Sequence, residues 1–102
     1  MSDLSFQQLS TVQSGLQPTP PTIASGTTIS PITRLTFITG TTVIQTINPF
    51  TTGYHEIVLI FTNASPGVFG ITGNIKTAGQ PAQNIPALLC WDPVSQLWWV
   101  AV

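Results

Sequence analysis

Glu56-Ile57-Val58-Leu59-Ile60-Phe61-Thr62 carries five consecutive apolar residues between an acid and a threonine. A nearly continuous apolar run of this length reads as a strand buried on both faces, and it is expected to form the centre of the fold. Two stretches before it alternate. In residues 33–39, Leu35 and Phe37 fall on one face and Arg34, Thr36 and Ile38 on the other. Gly40 breaks that run, and residues 42–48 then set Val43, Gln45 and Ile47 opposite Ile44 and Thr46. The stretch from Asn48-Pro49 to Thr52-Gly53 is a turn or loop.

After the central run, Pro66-Gly67 suits the middle of a type II turn. Residues 68–76 are interrupted by Gly70 and Gly73 and fit either a short strand or a wide loop; residues 77–84 read as loop. Residues 85–92 and 96–102 make the clearest hairpin. Between them, Asp92-Pro93-Val94-Ser95 places aspartate and proline at the first two positions of a type I turn. No stretch resembles a crossover helix, so a parallel sheet is not expected. The fold expected is all-β, a small antiparallel β-sandwich or barrel over residues 27–102.

Residues 1–26 differ from the rest. Residues 5–16 are rich in glutamine and serine, with Phe6, Leu9, Val12 and Leu16 as spaced apolar residues. Serine, threonine and Gly15 disfavour a stable isolated helix there. Gln17-Pro18-Thr19-Pro20-Pro21-Thr22 favours an extended conformation, and Ala24-Ser25-Gly26 supplies a joint. The segment is expected to be an extended N-terminal arm, either a plain tail or one that orders on a partner.

Only 5% of the residues are charged, against about 25% in an ordinary soluble domain. Neutral polar residues take their place, including ten threonines between Thr27 and Thr52. Threonine suits a pleated surface that hydrogen-bonds laterally without desolvating a charge. Near-zero net charge favours association, so much of the surface is expected to meet other protein. Two basic residues, Arg34 and Lys76, argue against nucleic acid and against an anionic membrane surface. No apolar run reaches the length of a transmembrane helix. Residues 1–10 lack the basic and apolar regions of a secretory signal, so the chain is expected to be made and kept in a cytosol. On that reading the sequon Asn63-Ala64-Ser65 marks only a loop. Cys90 in its apolar setting reads as a small core residue.

Chemistry has few carriers. His55 and Glu56 are adjacent on a strand and point to opposite faces. A triad of a serine, His55 and Asp92 has no nucleophile motif to mark it. A carboxylate pair for glycoside hydrolysis would have to be Glu56 and Asp92, and Asp92 already opens a turn. One histidine and one cysteine far apart make no metal site, and Gly70-Ile71-Thr72-Gly73 lacks the lysine and helix of a phosphate loop. The expectation is a protein without catalytic residues, metal or cofactor.

Tryptophan is more informative. Trp91, Trp98 and Trp99 all lie on the terminal hairpin, and adjacent Trp98 and Trp99 must point to opposite faces. Either a loop covers the second indole or it lies in a subunit interface, where tryptophan is enriched. Trp98 and Trp99, with Phe37 and Ile44 of the threonine-rich strands, are the candidate interface residues.

Certain strings, with the closing turn into Trp98, resemble a β-module of bacteriophage virion proteins. They are Ile32-Thr33-Arg34-Leu35-Thr36-Phe37-Ile38-Thr39-Gly40-Thr41, Val43-Ile44-Gln45-Thr46-Ile47, Gly53-Tyr54-His55-Glu56-Ile57-Val58-Leu59-Ile60 and Gly73-Asn74-Ile75. Similar strings occur in tail fibres, tail spikes and small capsid-associated proteins that assemble as trimers. With no repeats or shaft ahead of it, the chain looks more like a capsid decoration (cement) protein than a tail fibre. The resemblance implies a homotrimer on the outer capsid surface of a virion assembled in the bacterial cytoplasm. Its partners would be the major capsid protein and itself. Phe6, Leu9, Val12, Leu16, Pro18 and Pro20 would form the capsid-binding arm. The alternative is a small tail-fibre or receptor-binding component that holds carbohydrate with exposed aromatics and Asn, Gln and Thr side chains.

Overall fold

The computed structural model describes residues 19–102. Seven strands and no helix are present among them: β1 (Thr22–Ala24), β2 (Thr28–Ile29), β3 (Leu35–Thr39), β4 (Thr46–Ile47), β5 (His55–Phe61), β6 (Ala87–Asp92) and β7 (Leu97–Ala101). A five-stranded sheet has the order β1-β3-β5-β6-β7, and β2 pairs with β4 in a second, small sheet. The chain is all-β, as its pattern implies, and the apolar run at 56–62 supplies the central strand.

The pairing is not antiparallel throughout. β1, β3 and β5 are mutually parallel, with Thr22 opposite Phe37 and Leu35 opposite Val58. β2 and β4 are parallel as well, with Thr28 opposite Thr46. Parallel strands need a crossover, and sequence reading looks for a helix in that place. Here the crossover is the other sheet. The chain alternates between the two sheets from β1 to β5, so each strand returns beside the last but one. A bridge from Ile44 to Phe69 continues this coil on the second side. Among the named strands only β5-β6 and β6-β7 pair antiparallel, the second through the hairpin expected at the C-terminus.

Local departures have physical reasons. Thr22–Ala24, counted by sequence in the arm, pairs with β3 because Pro20-Pro21 sets an extended backbone, and the Pro21 carbonyl accepts from Phe37 N–H at 2.9 Å. Of the alternating residues 42–48 only Thr46–Ile47 are strand, and Ile44 and Ile47 are both buried, so the chain bends between them. Residues 68–76 form no strand and make only isolated bridges, at Phe69 and Ile75. The hairpin loop closes one residue later than a simple type I turn: Gln96 N–H donates to the Asp92 carbonyl at 2.8 Å, and Gln96 takes a positive φ of 59°.

Inward-facing residues of both sheets form the core. It includes Ile38, Ile57, Leu59, Phe61, Leu89 and Trp98 from the large sheet, with Ile29, Ile44, Ile47, Phe69 and Ile75 from the other side. Buried Thr36 keeps its hydroxyl satisfied against Thr33, at 3.1 Å between the two oxygens. Trp98 is fully buried and donates its indole N–H to the Ile47 carbonyl at 2.9 Å. Asn74 grips the same residue from the side, accepting from Ile47 N–H at 2.9 Å and donating to its carbonyl at 2.7 Å. These bonds fasten β4 to β7 and join the two sheets along one side.

Trp98→Phe removes the donor to a buried carbonyl and leaves a void. It should cost about 2–4 kcal/mol in urea unfolding, with native secondary structure retained. In the hairpin loop, the Asp92 carboxylate accepts from the Ser95 hydroxyl at 2.8 Å and from Val94 N–H at 2.9 Å. These bonds, the Ser95 hydroxyl first, hold its carboxyl below the ordinary 3.8. The lowered value means that this support is complete above the ordinary carboxyl range and is lost as pH falls through it. Asp92→Asn should therefore lower the Tm at neutral pH, and the gap to the parent should close in a pH series taken below about 4.

Candidate interaction surfaces

The large sheet has two faces with different fates. On β5 the inward residues His55, Ile57, Leu59 and Phe61 are buried, whereas Glu56, Val58 and Ile60 point outward and are exposed or half-buried. The central strand is thus covered on one side only, against the expectation of burial on both. A sheet packed on a single opposing layer has one inner face, and the described residues form no third layer to cover the other.

That outward face is apolar across its width. Leu35, Val58, Leu88 and Ala101 stand opposite one another on four neighbouring strands. Phe37 lies beside Ile60, and in a third row Glu56, Cys90 and Trp99 are aligned. Leu88 is 40% exposed and Trp99 45%. Between β3, β5 and β6 the face dips into a groove of about 500 Å3 lined by Leu35, Val58, Ile60, Pro86 and Leu88, with Arg34 and Glu56 on it as well. Arg34 and Glu56 make no ion pair within 4.0 Å among the described residues. The Glu56 carboxylate accepts instead from the Tyr54 hydroxyl at 2.6 Å. That bond, followed by a contact to Cys90, pushes the Tyr54 phenol up to about 12. The Lys76 ammonium lies over the Trp99 ring, 6.0 Å from its centre.

A second concavity lies at the hairpin-loop end. It is an open cleft of about 510 Å3 lined by Phe50, Thr51, Thr52, Asn74, Trp91 and Gln96 between Pro49 and Pro93, with no charged side chain. His55 backs Phe50 at 4.7 Å between ring centres and meets Trp98 edge-on at 5.3 Å. Its Nδ1 donates to the Gly53 carbonyl at 2.8 Å, and its buried Nε2 has no hydrogen-bond partner. His55 is therefore packed among rings. Glu56 lies on the opposite face of the sheet and Asp92 is held in its loop, so the groups considered for acid–base work are not brought together. No cluster of three metal-ligating side chains occurs among the described residues.

The candidate site residues divide accordingly. Trp98 and Ile44 are each wholly buried within the chain's own core, which corrects their assignment to a subunit interface. Trp98 is held there because its indole N–H finds a carbonyl, and Ile44 because the coil bends it inward. Trp99 and Phe37 lie on the outward face. Cys90, read as core, is half-buried on that face too. Phe6, Leu9, Val12, Leu16 and Pro18 lie outside the described residues; Pro20 edges a small depression with Thr33, Arg34 and Leu35. Sequence reading missed Val58, Ile60 and Leu88. The signal for Val58 and Ile60 was the apolar run itself, and for Leu88 the apolar stretch of the terminal hairpin.

Neither protein-family models, nor curated proteins, nor solved structures give a match to this chain.

Tyr54 is the sole tyrosine of the sequence, so absorbance at alkaline pH reports it alone. Its titration should centre at about 12 instead of 10.0, and Glu56→Gln should bring it back down.

Proposed function

We propose that this chain is a non-enzymatic structural protein of a bacteriophage virion. In this reading it is a capsid decoration protein that self-assembles, as a homotrimer by the family resemblance, and binds the major capsid protein at the outer surface of the shell. The observation that carries the reading is the apolar face that the described residues leave uncovered, on a chain with 5% charged residues. Parallel strands such as β1-β3-β5 are ordinarily covered on both faces, so a bare face asks for a protein cover. Monomeric proteins rarely leave large contiguous apolar patches in water. The threonine-rich surface and the near absence of charge suit a part that spends its time in an assembly, where desolvating charges would be costly.

Within this proposal the N-terminal arm, with Phe6, Leu9, Val12 and Leu16 as anchors, makes the contact with the shell. Several copies engaged together would turn modest single contacts into firm attachment. The direct test is co-sedimentation of the purified chain with shells of the major capsid protein of its phage. The full chain should pellet with shells and raise their disassembly temperature. A chain lacking residues 1–18 should keep its β-sheet circular dichroism and stay in the supernatant. Failure of the full chain to pellet overturns the reading.

A second reading, a receptor-binding component that holds carbohydrate, draws on the cleft with Phe50 beside Thr51, Thr52 and Gln96. An aromatic ring next to neutral donors and acceptors matches the mixed character of a sugar ring. Saturable binding of neutral oligosaccharides, lost in Gln96→Ala, would favour it over the decoration role.

A further inference from the structure

We infer that the outward sheet face is closed by another copy of the same chain, with Trp99 of one copy seated in the groove between β3, β5 and β6 of the next. This deepens the reading of the chain as a self-assembling protein and names the contact that does it.

The face carries a projection and a recess together. Trp99 on β7 stands out with nearly half its surface exposed, although its neighbour Trp98 is fully buried. The groove lies on the same face, two strands away at β5, a separation of about 10 Å. Closing the face on other copies requires a projection and a recess on each, whether two copies meet reciprocally or Trp99 of each enters the groove of the next around a ring. A projection and a matching recess side by side on one face meet that requirement. Tryptophan in a desolvated pocket is also the commonest kind of interface anchor.

The groove's chemistry fits an indole. Its floor is aliphatic, from Leu35, Val58, Ile60 and Leu88, and it can hold a large flat side chain. Arg34 at its rim has no ion-pair partner within the described chain and is placed to lie against the incoming ring as a cation over a π-system. Glu56, also on the rim, supplies the opposite sign, and Lys76 stands over the Trp99 ring, so the face carries charges of both signs. A partner of one strong charge would oppose one of these signs, whereas a second copy brings both.

Size sets the strength. Five strands at their usual spacing, each about five residues long, give a face of about 20 by 17 Å. Its footprint is smaller than the roughly 800 Å2 per partner of a standard stable interface. Association through this face alone is therefore reversible and dependent on concentration.

Cys90 provides a built-in reporter, because it stands opposite Trp99 in the β6–β7 register and is the sole cysteine. The experiment combines light scattering of the full chain over a micromolar concentration series with the rate at which a disulfide reagent modifies Cys90. The parent chain should pass from monomer to a closed oligomer as concentration rises, and Cys90 should react more slowly over the same range. Trp99→Ala, which removes the projection, and Leu88→Gln, which makes the groove floor polar, should each give a monomer with unchanged circular dichroism. In both, Cys90 should react at one rate throughout. A dimer or a trimer supports the inference equally, since both close through the same contact. A parent chain that stays monomeric with uniformly reactive Cys90 overturns it, as does an oligomer that survives both substitutions. Co-sedimentation with shells on the same preparations separates the two proposals. Shell binding by a monomeric chain would leave the decoration role standing without this contact, and an oligomer that ignores shells would do the reverse.

Discussion

The two sheets are held to one another by what Ile47 does with its backbone. Its carbonyl receives the Trp98 indole N–H and the Asn74 amide, and its N–H is taken by the Asn74 side-chain oxygen. β4 is two residues long and pairs with an equally short β2, so a ladder of main-chain bonds cannot anchor it. Side chains supply the anchor. The geometry sets how deep Trp98 lies, and Trp98 in turn organises the rings around it, Trp91 at 5.2 Å and His55 at 5.3 Å. His55 then backs Phe50, so the wall of the hairpin-end cleft is fixed from the core outward.

The same strand that buries Trp98 must present Trp99. Adjacent residues on a strand face opposite ways, so one indole is committed to the core and the other to the outside. The outward face inherits this asymmetry across its width: each inward core residue of β3, β5 and β6 has an outward neighbour, and those neighbours are mostly apolar as well. With few charges in the chain, the face is interrupted by Arg34 and Glu56 at the groove and by Lys76 over the Trp99 ring. An unmatched apolar face, a groove and a projecting indole thus arise from one constraint.

Much of this was legible in residue order. The apolar run at 56–62 marked the central strand, the aspartate and proline at 92–93 marked the hairpin, and adjacent tryptophans marked one inward and one outward ring. The parallel coil was not legible, because parallel pairing joins residues such as Thr22 and Phe37 through a crossover with no local turn signature. Ile44 was misassigned for a related reason. Period-two alternation puts Ile44 and Ile47 on opposite faces, whereas a bend between them turns both inward. Asn74 drew notice only as part of a family-like string, since nothing in Gly73-Asn74-Ile75 announces that its amide will pair with a backbone twenty-seven positions earlier.

By itself the sequence determined the all-β class, the strand at the centre, the terminal hairpin and a surface short of charge. These follow from short-range periodicity, turn chemistry and composition, which act between near neighbours or on the chain as a whole. Only the tertiary structure decided which apolar residues are satisfied within the chain and which are left outside. That choice depends on how many layers the chain can stack. One opposing layer covers Ile57, Leu59 and Trp98, and nothing in the described chain remains to cover Val58, Leu88 and Trp99.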